Sequence, residues 1–143
     1  SMLTDMARAG LPNEICGLLS GPSAIDWVAE APVLVSTVWP VANSLASPVA
    51  FSLDGAEMLE AEDRIERRGD VVIGVAHSHP TAEPRPSRRD IADAAVYDPM
   101  AAFVHVIVSM QGFAPVIRAW RMPLEDALDP TELSVAGGDL RFE

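Results

Sequence analysis

One short apolar run ends in two histidines: Val71-Val72-Ile73-Gly74-Val75-Ala76-His77-Ser78-His79. The run is rich in β-branched residues and is bounded by Gly69-Asp70 on one side and by prolines on the other, which is typical of a buried β-strand. Because successive side chains of a strand point to opposite faces, we expect His77 and His79 to project together while Ser78 points away. Two imidazoles on one face of a strand end can share one metal ion.

A proline-rich loop and the start of a helix follow the second histidine. The loop contains three prolines, whose fixed φ angles restrict its conformations, and it ends at Ser87, which can N-cap a helix. Asp90 then falls in the first turn of that helix, aimed back toward the strand end. Two neutral imidazoles and one carboxylate suit Zn²⁺ and leave the fourth tetrahedral position open for water. An open position indicates a catalytic zinc, which lowers the pKa of its water and polarises a carbonyl, as amide hydrolysis requires.

The same residues also have a purely structural interpretation. Ser87-Arg88-Arg89-Asp90 fits the Ser-x-x-acid capping pattern, so Ser87 and Asp90 alone could simply satisfy backbone N–H groups at a helix start. A lone His-x-His at a strand end is weak support for a metal site. The combination favours the metal, because two of the chain's three histidines share one face of a strand end, with a carboxylate one helical turn beyond the loop.

An upstream acid supplies a candidate general base. Glu14 opens a predicted strand over residues 14–19, in which alternation puts Glu14, Cys16 and Leu18 on one face. If Glu14 faces the metal, Cys16 lies deeper beneath the site; without the downstream motif, Glu14 would be interpreted as an exposed acid. Cys16 paired with a histidine could act as a nucleophile. A cysteine in an apolar strand is more often a small buried hydrophobe, and we favour that interpretation.

The combined spacing resembles the JAMM motif of MPN+ metalloproteases, also called the JAB1/MPN/Mov34 family. The matching pattern is His77-Ser78-His79, seven residues, Ser87, two residues and Asp90, with Glu14 far upstream in Pro12-Asn13-Glu14-Ile15-Cys16-Gly17-Leu18-Leu19-Ser20-Gly21. The resemblance runs from about residue 4 to residue 122. The contexts around Cys16 and Ser87 are most similar to the bacterial stand-alone branch that processes ubiquitin-like sulfur-carrier proteins, including the carrier-cysteine peptidases.

This resemblance implies a zinc metallopeptidase. His77, His79 and Asp90 would hold Zn²⁺, Glu14 would act as general base and then general acid, and Ser87 would donate a hydrogen bond to the developing oxyanion. The implied substrate is the peptide or isopeptide bond after the C-terminal glycines of a ubiquitin-like sulfur carrier, or the carrier's cysteine adduct, and a homodimer is a candidate assembly. The alternative is a catalytically silent MPN-type scaffold or interaction domain, which the intact ligand set disfavours.

Length, charge and cysteine content limit the other possibilities. The 143 residues, 49% of them hydrophobic, predict a single domain over residues 2–143, in which residues 123–143 form a loose segment or a small terminal element. The net charge of −11 argues against nucleic acid and anionic membranes as partners. No apolar run is long enough for a membrane span, and Cys16 has no partner for a disulfide, so we expect a cytoplasmic protein.

Two further features of the sequence are a cluster of arginines and a third histidine. Arg85, Arg88 and Arg89 cluster beside the predicted metal ligands. They form either a solvated helix face, which we favour, or a rim that binds a carboxylate by bidentate hydrogen bonds. His105 lies within a predicted strand together with Phe103, so we assign it to the core or the sheet surface and not to the metal.

Strands and helices follow one another along the chain, which predicts an α/β or α+β sandwich. The resemblance implies the first of these, an α/β fold in which a three-layer mixed β-sheet is flanked by helices, as in cytidine deaminases. Helices are predicted over residues 2–9 and 88–96. A third helix is predicted to begin with a capping box at Asp54-Gly55-Ala56-Glu57 and to end near residue 69. The predicted strands cover 14–19, 25–39 with a break at 31–32, 51–52, 71–79, and a hairpin of 103–109 with 113–122.

Overall fold

The computed structural model of the protein describes residues 1–124 and 129–137. Within these residues the chain forms, in order, α1 (Met2–Gly10), β1 (Cys16–Gly21), β2 (Val33–Val35), β3 (Thr37–Val41), α2 (Gly55–Arg67), β4 (Val71–His79), α3 (Arg88–Tyr97), β5 (Val104–Ser109), β6 (Val116–Arg121), β7 (Thr131–Leu133) and β8 (Val135–Gly137). None of these helices has both the length and the apolar character that crossing a membrane would demand.

Six strands form one mixed sheet in the order β3-β1-β4-β5-β6-β7. The inner strand β4 pairs in parallel with β5, and α3 is part of the crossover between them, whereas the other neighbouring strands are antiparallel. The short strands β2 and β8 form a separate parallel pair. Ligands of sheets with parallel strands bind beyond the carboxyl ends of those strands, and β4 ends at His79.

A hydrophobic core covers each face of the sheet. Leu3 of α1 packs into the core on one face, and Ile65 of α2 packs into the core on the other. The adjacent residues Leu18 and Leu19 of β1 belong to different cores, because neighbouring side chains of a strand point to opposite faces. Helices on both sides of a mixed sheet confirm the predicted three-layer α/β architecture.

A bulge in β4 precedes the two histidines. A register shift between β1 and β4 adds one residue, Ile73, to β4, which reverses the facing of the side chains on either side of it. Past this bulge the alternation is regular, and His77 lies on the α2 face, where its ring stacks on Phe51. Ser78 is directed elsewhere and accepts a hydrogen bond from the backbone N–H of Ile15 at 2.8 Å.

The predicted strand over residues 25–32 is wrong, since strand structure begins only at Val33. The Asp26 carboxylate accepts hydrogen bonds from the N–H groups of Val28 at 3.0 Å and Ala29 at 3.4 Å. Such a local turn gives the backbone an alternative to pairing with a strand.

The short strand predicted at residues 51–52 is also wrong. The side chain of Asn43 takes the hydrogen bonds that a partner strand would have made, because it accepts from Ser52 N and donates to Ala50 O, both at 3.0 Å. The capping box predicted at Asp54 forms only in part: Asp54 accepts from Glu57 N at 3.0 Å, but the Glu57 carboxylate accepts from Ala42 N instead.

The β5–β6 loop is longer than predicted. Strand β6 begins at Val116 and not at residue 113. Ser109, the last residue of β5, accepts a hydrogen bond from Gln111 N at 3.2 Å, and Phe113 is fully exposed, so the loop turns over several residues before pairing resumes.

The C-terminal segment contributes two short strands in the part that the structure describes. β7 pairs with β6 at the sheet edge, and β8 pairs with β2. The rest of the segment predicted to be loose, residues 125–128 and 138–143, lies outside the described residues.

Candidate metal centre

The three predicted ligands converge at the end of β4. The Nε2 atoms of His77 and His79 are 3.1 Å apart, and they lie 3.2 Å and 3.0 Å from Oδ2 of Asp90. All three side chains are buried. Ligand atoms at the usual zinc distances are separated by about 3.3 Å in a tetrahedron, so the observed donor set fits a small divalent cation. Among the described residues these three form the arrangement able to hold a metal ion.

Asp90 is both a candidate ligand and part of the helix cap. Its N–H donates to Ser87 Oγ at 3.0 Å, and its Oδ2 accepts from the Ser87 N–H at 2.9 Å, which is a complete capping box at the start of α3. The cap holds the carboxylate beside the two imidazoles. The structural and the metal-binding interpretations of this pair are therefore compatible.

Hydrogen bonds prepare His79 to bind a metal through Nε2. Its Nδ1 donates to the Glu83 carbonyl oxygen at 2.7 Å, so a proton lies on Nδ1, and Nε2, which faces Asp90, is the ring atom left for a metal. Burial lowers the pKa of His79, but the hydrogen bonds with Asp90 and Glu83 outweigh it and the pKa is raised. A metal must displace any proton held on Nε2, so occupancy is favoured at higher pH.

The other two ligand candidates, His77 and Asp90, also have pKa values that differ from their usual ones. Burial lowers the pKa of His77, which keeps its imidazole neutral as a ligand must be. Its ring stacks on Phe51 with centroids 4.4 Å apart, and its Nδ1 has no hydrogen-bond partner among the described residues. Burial opposes ionisation of Asp90, but its hydrogen bonds to His77 and His79 hold the pKa well below the usual range, so the carboxylate is anionic.

Glu14 lies two residues before β1 and is not the exposed acid of the alternative interpretation, since only 5% of its surface is accessible. Its backbone is held on both sides, because its N–H donates to Ser47 O at 2.9 Å and its carbonyl accepts from Asn43 Nδ2 at 3.0 Å. Its Oε1 has no hydrogen-bond partner among the described residues.

The electrostatic surroundings of Glu14 match a general base. Burial raises the pKa of its carboxyl to about 7, an effect that the charge of His79 opposes and that of Asp90 reinforces. A carboxyl with a pKa near the working pH can take up a proton and give it back. The ligand candidates His79 and Asp90 are among the charged neighbours that perturb the pKa of Glu14.

Cys16 is a buried hydrophobe and does not have the properties of a nucleophile. It pairs with His77 across the β1–β4 ladder, it is 1% exposed, and its S–H donates to Val41 O at 3.3 Å. Burial, reinforced by the charges of Glu14 and Glu57, raises the pKa of the thiol to about 12, so the reactive thiolate is absent at neutral pH.

Cys16→Ala is therefore expected to leave the turnover of the protein unchanged. The lost packing should lower the free energy of unfolding by about 1 kcal/mol. Thermal unfolding and kcat of the purified variant measure the two effects. A folded variant without turnover would restore the thiol as a candidate for the chemistry.

The structure separates the arginines that the sequence groups together. The guanidinium of Arg85 lies over the Trp120 ring, 5.2 Å from its centroid, and forms an ion pair with Asp129 at 3.6 Å. Arg89 is directed toward Asp93, 3.5 Å away along α3. Arg85 and Arg89 thus have different ion-pair partners, and that of Arg89 lies on the same helix, as in the solvated helix face that the sequence favours.

His105 lies outside the metal centre, as predicted. Its Nε2 is 3.0 Å from Oδ2 of Asp98, and both side chains are buried. Asp98 also accepts from Ala102 N at 2.8 Å and Phe103 N at 3.3 Å, so the pair ties the end of α3 to the start of β5. The role of this pair is structural.

A cavity of about 410 Å³ opens beside the ligands, and its lining residues are Leu45, Phe51, Ser52, Leu53, Met58, Arg89, Asp93 and Tyr97. Phe51 connects the cavity to the centre, because the same ring stacks on His77. The sequence pattern did not reveal Phe51 or the anchoring residue Asn43, since both lie in an irregular segment far from the histidines. A larger cavity of about 500 Å³, next to residues 22–34, contains none of the predicted site residues.

Known proteins resemble this chain along most of its length. The model of a family described as prokaryotic homologs of the JAB domain matches residues 1–123. A desampylase from Haloferax volcanii is 36% identical over 71% of this chain and 66% of its own, and a CysO-cysteine peptidase from Mycobacterium tuberculosis is 34% identical over 59% and 53%. The chain thus spans less than two thirds of the length of these curated relatives.

A solved structure shows the same relationship in three dimensions. A protein from Desulfitobacterium hafniense, known from a solution structure, is 33% identical with a TM-score of 0.76, over 97% of this chain and 87% of that one. The family match includes Glu14, the two histidines, Ser87 and Asp90. Together with the mixed sheet and the convergent donor set, these similarities show that the chain belongs to the prokaryotic homologues of the JAB domain, within the JAB1/MPN family.

Proposed function

We propose that the protein is a zinc-dependent metallopeptidase. It hydrolyses the peptide or isopeptide bond after the C-terminal glycines of a ubiquitin-like sulfur-carrier protein, and cysteine is the candidate leaving group. One observation carries this proposal: three metal-ligand atoms converge in a buried site, and two of the ligands perturb the pKa of the Glu14 carboxyl, which is raised to about 7. Glu14 Oε1 has no hydrogen-bond partner among the described residues. This combination is typical of metal-assisted hydrolysis.

His77, His79 and Asp90 would hold the zinc, and their two imidazoles and one carboxylate match the catalytic sets of three protein ligands. When bound there, Zn²⁺ would supply a Lewis acid that lowers the pKa of water and polarises the scissile carbonyl. Glu14 accepts a proton from the attacking water on its carboxylate and then delivers that proton to the leaving amine. Because Glu14 is buried, its charged form is poorly solvated, which makes it a stronger base than an exposed glutamate.

The hydroxyl proton of Ser87 has no acceptor among the described residues. Its Oγ already accepts a hydrogen bond from Asp90 N, so its O–H remains a donor, and the side chain is exposed beside the ligands. We assign to this O–H the stabilisation of the negative charge that develops on the substrate's carbonyl oxygen.

Ser87→Ala is expected to lower kcat by a factor of about 10² to 10³, the usual cost of removing one oxyanion donor. Loss of the cap should also lower stability by about 1 kcal/mol. Ser87→Thr keeps both the hydroxyl and the cap and is the matched control, expected to retain most of the turnover. Steady-state kinetics and thermal unfolding of both variants separate the two effects. Equal turnover in Ser87→Ala and the wild type would exclude the oxyanion role.

Three observations support a carrier protein's tail as substrate. The cavity beside the ligands is mostly apolar, with Arg89 and Asp93 as its charged lining residues, and its volume is in the range of sites that hold small ligands or chain segments. The connection from α3 to β5 is only residues 98–103, which leaves the site open to a compact partner. The names of the relatives, desampylase and CysO-cysteine peptidase, denote enzymes that act on such conjugates.

The proposal is tested with purified, zinc-loaded protein and two substrates. One is a carrier protein whose terminal Gly-Gly is linked to cysteine, and the other is the same carrier linked to a lysine side chain. We expect release of free carrier from the cysteine adduct, detected by mass spectrometry, and loss of that activity after chelation. Zinc bound in stoichiometric amount without hydrolysis of either substrate would favour the silent scaffold instead.

A further inference from the structure

We propose that Ser109 and Trp120 are positioning residues for the metal ligand His79. They act through the 80–86 loop, the segment of residues 80–86 between β4 and the cap of α3, by holding the carbonyl group to which His79 is hydrogen bonded. The inference rests on the metal site of the proposed function, but it concerns side chains of β5 and β6 that are not metal-ligand candidates and do not line the cavity beside the ligands.

The Nδ1 atom of His79 is held by a single backbone carbonyl. Its Nδ1 donates to Glu83 O at 2.7 Å, and a histidine that binds a metal through Nε2 must keep its proton on Nδ1. The same carbonyl accepts from Arg85 N at 2.8 Å. The 80–86 loop has no helix or strand structure, and most of its side chains are exposed. The loop therefore needs contacts from outside to hold this carbonyl in place.

Two side chains distant in sequence provide those contacts, one on each side of Glu83. Ser109 Oγ donates to Ala82 O at 2.5 Å, and Trp120 Nε1 donates to Pro84 O at 2.9 Å. The Glu83 carbonyl lies in the peptide group that joins Glu83 to Pro84, and the peptide groups on either side of it are thus both hydrogen bonded. These bonds limit rotation of the Glu83 carbonyl. Ser109 bonds a residue 27 positions away along the chain, and Trp120 bonds a residue 36 positions away.

Both donors are themselves rigidly placed. Ser109 pairs with His79 in the β4–β5 register and is buried, and the next residue, Met110, donates its N–H to His79 O at 3.0 Å. Trp120 lies in β6 and is buried, with the guanidinium of Arg85 over its ring. The sheet therefore fixes the position of His79's backbone and of its Nδ1 acceptor together. Residues that orient a metal's ligands typically change affinity or activity by a factor of about 10 to 100 when replaced.

The test uses variants that remove one hydrogen-bond donor each. Trp120→Phe keeps an aromatic ring but loses the N–H, and Ser109→Ala loses only the hydroxyl. The matched control is Trp39→Phe, because Trp39 Nε1 also donates a single hydrogen bond, to Ser20 Oγ at 2.8 Å, without contacting the 80–86 loop. Zinc affinity is measured by competition with a chromogenic chelator. The tautomer of His79 is measured from its ¹⁵N shifts in the metal-free protein, at a pH high enough that the imidazole is neutral, and the signals are assigned with a His79→Gln variant.

We expect both loop variants to bind zinc about 10 to 100 times more weakly and to show less of the Nδ1–H tautomer at His79, while Trp39→Phe matches the wild type. Two results would overturn the inference: an unchanged tautomer in both loop variants, or an equal loss of affinity in Trp39→Phe, which would indicate a general effect of stability. The tautomer is read without metal or substrate. It therefore tests the positioning role even if the protein proves to have no peptidase activity, and Ser109→Ala serves if Trp120→Phe does not fold.

Discussion

Replacing Glu14 by Gln is expected to lower kcat by a factor of about 10² to 10⁴ while zinc remains bound, since this is the usual contribution of a general base. The amide has the shape of the carboxyl but cannot accept the proton of the attacking water. Zinc should be retained because the three ligand atoms come from other residues. Turnover of the carrier-cysteine adduct and the zinc content of the same sample are the measurements.

The stability of the metal-free protein provides an independent check on Glu14. Burial raises the pKa of this carboxyl from 4.5 to about 7, so its ionisation weakens the folded state as the pH rises through that interval. Glu14→Gln removes the ionisation. The variant should therefore melt at a higher temperature than the wild type at pH 8, and the difference should disappear below pH 4.5, where the wild-type carboxyl is protonated in both states.

Glu57→Gln is the matched control for this prediction. Glu57 is another carboxylate that accepts a backbone hydrogen bond, from Ala42 N at 3.1 Å, but it belongs to α2 and not to the metal centre. Its replacement should leave turnover close to that of the wild type. If Glu14→Gln instead lost its zinc, Glu14 would be a ligand and the role of base would pass to another group.

Asp90→Ala is expected to abolish both zinc binding and hydrolysis. The variant removes one of three ligand atoms and also the acceptor that both Nε2 atoms share. The loss of affinity should exceed the factor of about 100 that replacing a supporting residue costs. Chelation should lower the melting temperature of the wild type, which zinc stabilises by mass action, and should leave that of Asp90→Ala unchanged.

Ser87→Ala separates the ligand role of Asp90 from its role in the helix cap. Both variants break the capping box at the start of α3, each at a cost of about 1 kcal/mol, but only Asp90→Ala removes a donor atom of the metal centre. Ser87→Ala should therefore still respond to chelation. If both variants lost zinc equally, the cap would be what holds the site together; if Asp90→Ala kept full zinc affinity, the carboxylate would not be a ligand.

The donor set could be predicted from the sequence because its geometry is local. His77 and His79 are separated by one residue of a strand, so the strand's alternation places them on one face. Asp90 occupies the N3 position of a capped helix, and the cap directs its carboxylate. These are short-range rules, which is why the expected and observed positions agree.

The irregular segments could not be predicted in the same way. Residues 25–32 have the composition of a strand, but the Asp26 carboxylate satisfies the backbone locally and the strand does not form. The sequence predicts a strand at Phe51, but the Asn43 side chain hydrogen bonds to the backbone of Ala50 and Ser52, the residues on either side of it. In each case one polar side chain makes hydrogen bonds to the backbone that would otherwise be made by a neighbouring strand. The strand propensities of the residues do not include this effect.

The order of residues along the chain was enough to indicate the three metal-ligand candidates, because their positions depend on spacing within one strand and one helix turn. The same spacing, with Glu14 upstream, indicated the family, and the fold class followed from that resemblance. Only the folded molecule revealed that burial raises the pKa of Glu14 to about 7 and that of the Cys16 thiol to about 12. It also revealed the hydrogen bonds from Ser109 and Trp120 to the loop that carries the acceptor of His79. Desolvation and such hydrogen bonds arise between segments that are distant along the chain, and they exist only once the sheet has brought those segments together.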